Sequence, residues 1–82
     1  MLIATEMKKS SGYNPQPEFS IVSENPETLK SFFEKRFSKV CNNIPWKLNT
    51  AHYNAWRAVF SYEVGKATIE VLISIKEIGF IK

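Results

Sequence analysis

The alternation of apolar and polar positions is clearest between Trp56 and Ile75, where WRAVFSYEV and ATIEVLISI flank the dipeptide Gly65-Lys66. This predicts a β-hairpin. A Gly-X loop suits a type II′ turn, whose first residue needs a positive φ. Setting Val64 opposite Ala67 pairs Tyr62 with Ile69, Phe60 with Val71, Ala58 with Ile73 and Trp56 with Ile75 on one face. The other face receives Glu63 with Thr68, Ser61 with Glu70, Val59 with Leu72 and Arg57 with Ser74. A slip of one residue would turn one strand's apolar set toward water, so the register is strongly specified.

A different period governs the stretch from about Pro26 to Asn42. Leu29, Phe32, Phe33, Phe37, Val40 and Cys41 recur at steps of three and four, the stripe of an amphipathic helix. Asn25 is a suitable N-cap, Pro26 fits the first helical position, and Glu27 lies where the helix dipole favours an anion. Asn42-Asn43 and Pro45 are the stop signals.

Shorter strands are expected at Leu2 to Met7, ended by Lys8 and Lys9, at Glu18 to Ser23, with Phe19 and Ile21 on one face, and at Trp46 to Thr50. Ser10 to Pro17 reads as a solvated connection. A short turn around Tyr53-Asn54 would bring Leu48 near Phe60 and Trp46 near Tyr62. Ile78 and Phe80 fall out of step with Ile69, Val71, Ile73 and Ile75, which predicts a bulge, a bend or the sheet's end near Lys76-Glu77. The expected fold is α+β: an antiparallel sheet of four or five strands, including a C-terminal three-strand meander, with one amphipathic helix packed on one face. It forms a single domain over residues 1–82, and the place of Leu2 to Met7 in the strand order stays open.

Composition changes this picture little. Eighty-two residues with 44% hydrophobic content suffice for one core. The initial Met1 leads us to expect a complete small gene product. The formal charge of +3 is mildly basic, and the eleven cations are spread along the chain, unlike the dense cluster of a dedicated nucleic-acid binder. The chain has no Asp, many Asn and Ile, and more Lys than Arg, a bias that fits an AT-rich source such as a phage or a low-GC bacterium. A single Cys, no secretory leader and no long apolar run lead us to expect a cytoplasmic protein without membrane association.

Candidate chemistry is sparse. Cys41 and His52 are each the only residue of their kind, too few for a nucleophile–base pair with an orienting group or for a metal site. Cys41 is expected to be a buried thiol. Glu63 and Glu70 sit diagonally on the outer hairpin face and read as surface charge. Val64-Gly65-Lys66-Ala67-Thr68 lacks the first Gly and the strand-to-helix setting of a phosphate loop. No catalysis, metal or cofactor is expected.

Binding surfaces are the remaining candidates. Val59 and Leu72 form an outward apolar spot with Tyr53 and Arg57 beside it, and Ile78 and Phe80 add apolar groups near the C-terminus. The expectation is a non-catalytic regulatory protein, an inhibitor or accessory factor, that acts through a protein partner or a homodimer. The alternative is RNA or single-stranded DNA binding by Lys35, Arg36, Lys39, Lys47, Tyr53 and Arg57.

Overall fold

The computed structural model describes residues 1–10, 19–49 and 55–77. Its elements are β1 (Leu2–Ser10), β2 (Phe19–Ser23), α1 (Pro26–Arg36), β3 (Lys47–Asn49), β4 (Ala55–Val64) and β5 (Ala67–Glu77). The five strands form one antiparallel sheet in the order β2-β1-β5-β4-β3. The helix packs against one face, so the fold is the α+β arrangement expected from the sequence.

The β4–β5 hairpin has the register read from the alternation, from Val64 opposite Ala67 to Trp56 opposite Ile75. Gly65 at the turn has φ +60°, the left-handed region that favours glycine. Strand order places β1 in the interior, between β2 and β5, with Ala4 opposite Ile75 and Met7 opposite Leu72. β1 runs three residues beyond the expected end because its pairing with β5 continues as far as Ser10 opposite Ile69.

The inward residues Ala4, Ala58, Val71, Ile73 and Ile75 form one buried cluster with Leu29, Phe33, Phe37 and Ile44. Phe19 stacks on Phe32 at 5.9 Å and meets Phe33 edge-on at 6.4 Å, tying β2 to the helix. On the sheet's other flank, the Trp46 indole N–H donates to Glu34 at 3.2 Å, and the Lys30 ammonium lies 3.1 Å from the centre of a Trp56 ring. The helix starts as expected. The Asn25 side chain accepts from the Glu27 N–H at 2.9 Å, satisfying a donor that the first turn leaves unpaired.

Three local expectations are corrected. The helix ends at Arg36 and not near Asn42: the Phe37 carbonyl accepts from both Val40 and Cys41, which closes the helix with a separate turn. The chain then reaches inward to bury Ile44, leaving Val40 exposed and Cys41 half-buried. β3 is shorter than expected, and Leu48 pairs with Trp56 and not with Phe60. The parity is kept, but Leu48 lies on the sheet edge and is exposed. β5 is described as far as Glu77, and the expected bulge, bend or strand end after Lys76-Glu77 rests on residues beyond it. The expectations for most of the Ser10–Pro17 connection, the Tyr53-Asn54 turn, His52, Ile78 and Phe80 lie outside the described residues.

Candidate functional site: an open sheet face and a basic cleft

Cross-strand partners share a face, so the registers resolve the face opposite α1 into rows running across the strands. Met7, Leu72 and Val59 make an apolar row across β1, β5 and β4. Val59 is 60% and Met7 44% exposed, and Leu72 is half-buried between them. On one side of this row lie Thr5, Ser74, Arg57 and Lys47, followed by Val22, Ile3 and Lys76. On the other side lie Lys9, Glu70 and Ser61, followed by Glu63. Among the described residues, Arg57, Lys47, Lys76, Glu63 and Glu70 form no ion pair within the chain.

The expected spot of Val59 and Leu72 therefore lies on the open face beside Arg57 and Lys47. Sequence reasoning missed that Met7 extends it and that Ile3 and Val22 add apolar surface nearby. Their inclusion depends on β1 pairing with β5, a long-range choice the letters leave open. Tyr53, Ile78 and Phe80 lie outside the described residues.

The other face carries a different cluster at the C-terminal end of α1. Here Lys8, Lys35, Arg36, Ser38, Lys39 and Tyr62 line a shallow cleft of about 400 Å³. Beneath it lies Glu6, 3% exposed on the inward side of β1. Burying a carboxylate without a partner is costly. Arg36 supplies that partner: Nε donates to Oε1 at 2.7 Å and a terminal nitrogen to Oε2 at 3.2 Å. Lys8 Nζ stands 3.8 Å from the same carboxylate. Hydrogen bonding to Glu6 raises the Arg36 pKa above its ordinary value, outweighing the opposing desolvation. The stability linked to protonation of Arg36 is thus fully present below the ordinary guanidinium range. It is lost only as pH rises through the raised value.

The guanidinium also lies over the Phe19 ring at 4.3 Å. Arg36 is therefore held in place, whereas Lys35 and Lys39 form no ion pair among the described residues. The structure gathers Lys35, Arg36 and Lys39 into this cleft, adds Lys8 and Tyr62, and places Lys47 and Arg57 on the opposite face. A sequence signal for Glu6 does exist. It breaks the inward series Leu2, Ala4, Glu6, and a carboxylate at a core-facing position asks for a buried cation.

Among the described residues, no three His, Cys, Asp or Glu side chains come together in a way that would hold a metal ion. No helix among them is long and apolar enough to cross a membrane. Comparison with protein-family models, with curated proteins and with solved structures returned no match. The described residues form an α+β fold with the helix over one sheet face and no element over the other.

Proposed function

We propose that this protein is a non-catalytic binding protein that engages a protein partner through its open sheet face. The observation that carries the reading is the exposed Met7–Leu72–Val59 row on three adjacent strands. Apolar side chains grouped in this way lose their hydration when a partner covers them, and flanking charges set orientation. A protein of this kind changes its partner's activity by occupying a surface, the action of an accessory regulator or inhibitor. The test is affinity capture with the wild-type chain, with Val59→Asp and Leu72→Lys as matched controls whose fold is checked by circular dichroism. Capture of a defined protein by the wild type and its loss in both variants is expected. Capture that survives both changes sinks the reading.

A second reading, RNA or single-stranded DNA binding, is favoured by the basic cleft. Lys8, Lys35 and Lys39 present ammonium groups around Tyr62, a combination suited to phosphates and a stacked base. Three phosphate contacts give a slope of roughly −2 in log affinity against log salt for a single strand. Anisotropy with a labelled single-stranded RNA should show that slope and its loss in a Lys35→Glu/Lys39→Glu variant, with Arg57→Glu unaffected. Salt-independent binding, or equal loss with Arg57→Glu, would reject the cleft.

A further inference from the structure

We infer that the occupant of the open face is a second copy of this chain, packed face to face about a two-fold axis that runs along the Met7–Leu72–Val59 row. This rests on the open-face reading and names its partner. The charges carry it. Counting along the strands from the apolar row, Arg57 is two residues to one side on β4, and Glu70 is two residues to the other side on β5. Lys76 and Glu63 repeat the relation at four residues, with the strands exchanged.

Within one chain Arg57 and Glu70 are about 13 Å apart, four residues of strand rise, and do not pair. Rotation about the apolar row inverts the strand direction while keeping β1, β4 and β5 each above its own copy. Val59, Leu72 and Met7 then meet their equivalents. Arg57 lies over Ser61 of the second copy and diagonal to that copy's Glu70, and symmetry supplies the same contact a second time. Lys76 approaches Glu63 in the same manner. An axis along β5 would instead set Lys76 against Lys76 and Glu70 against Glu70 of the second copy, which like-charge repulsion disfavours.

The shared area sets the strength. Under this rotation β2 and β3, which lie wholly on one side of the apolar row, have no strand opposite them. With strands ~4.8 Å apart rising ~3.3 Å per residue, the overlapping parts of β1, β4 and β5 cover roughly 430 Å² per copy. The contact therefore buries about 860 Å² in total, the size of a weak, reversible association. Packed sheets rotate by about 30° relative to one another, which separates the outer charges most. Arg57 and Glu70, next to the axis, are thus the pair that sets the register.

Light scattering after size exclusion tests this with wild type, Arg57→Glu, Glu70→Arg and Leu72→Lys, nuclease-treated, from ~1 to ~200 µM. Wild type should rise toward twice the chain mass as its concentration increases over this range. Each charge variant should weaken self-association by roughly tenfold or more, because both symmetric contacts become repulsive at once. An equimolar mixture of the two charge variants should recover the dimer, since every contact is again between opposite charges. That recovery also shows that both variants fold. A monomeric wild type over the whole range overturns the second copy as occupant. A dimer indifferent to Leu72→Lys and to both charge changes overturns it too, as does a mixture without recovery. The open-face reading fails by a different result, partner capture that survives Val59→Asp and Leu72→Lys.

Discussion

The inward face of the sheet is held by Leu29, Phe33 and Phe37 over Ala4, Ala58, Val71, Ile73 and Ile75. The same three strands, β1, β4 and β5, turn Met7, Val59 and Leu72 outward, with no element among the described residues laid over them. Ionic groups differ in the same sense. The carboxylate on the covered face, Glu6, is fastened by Arg36 in a two-point contact. Arg57, Glu63 and Glu70 on the open face have no such partner among the described residues. One face has its pairing completed by the fold, and the other holds both apolar surface and charge that the fold leaves to solvent. Stability should therefore depend on the first face and association on the second, and substitutions on each face test that division.

The largest effect is expected from Phe33→Ala. Phe33 is fully buried among the inward side chains, and truncating a buried Phe costs about 3–5 kcal/mol through lost burial and the cavity left behind. For a chain this small that is much of the stability available. A thermal melt by circular dichroism should show a chain largely unfolded at 37 °C. A near-native melt would mean that the helix is not what closes the core.

A middle effect is expected from Arg36→Ala. The change leaves Glu6 buried with Lys8, at 3.8 Å, as its nearest cation. Hydrogen bonds to charged groups are worth about 1.5–3 kcal/mol. Because the guanidinium is about a third exposed, solvent screening places the loss near the low end, about 1.5 kcal/mol. Urea titration measures it. The same loss in Lys35→Ala, whose side chain forms no ion pair among the described residues, would show that the effect comes from charge at the helix end and not from Glu6.

On both faces, what local periodicity encodes is legible in the sequence and what long-range pairing decides is not. A two-residue turn with Gly65 and strict alternation leave β4 and β5 one acceptable register, so Val59 and Leu72 were placed correctly. The helix end was misread because Phe37, Val40 and Cys41 keep the three- and four-residue spacing through a turn that is not helical. Parity alone constrained β3, and a shift of four residues preserves parity, so Leu48 was assigned the wrong partner. Met7 and Glu6 gained their roles from the β1–β5 pairing, which joins residues more than sixty positions apart. No local pattern encodes such a pairing. The hairpin and the start of the helix rest on local periodicity, whereas Glu6 on the covered face and Met7 on the open one depend on which strands become neighbours.

The smallest effect, and the sharpest test of the division, is expected from Val59→Thr. The substitution keeps the β-branched shape and strand propensity of the residue and exchanges an exposed methyl for a hydroxyl. For an isolated chain the loss should be within about 0.5 kcal/mol, as for other exposed positions. If the open face meets a second copy, folding is linked to association, and wild-type stability rises with protein concentration. The penalty for Val59→Thr should then grow between ~1 and ~200 µM as the dimer populates. That for Phe33→Ala, measured with both chains carrying Leu72→Lys so that neither associates, should stay constant. Melts of Val59→Thr and wild type at both concentrations decide the matter. A penalty above ~1 kcal/mol at the lower concentration would show that Val59 contributes to the fold itself, and the two faces would no longer divide stability from association.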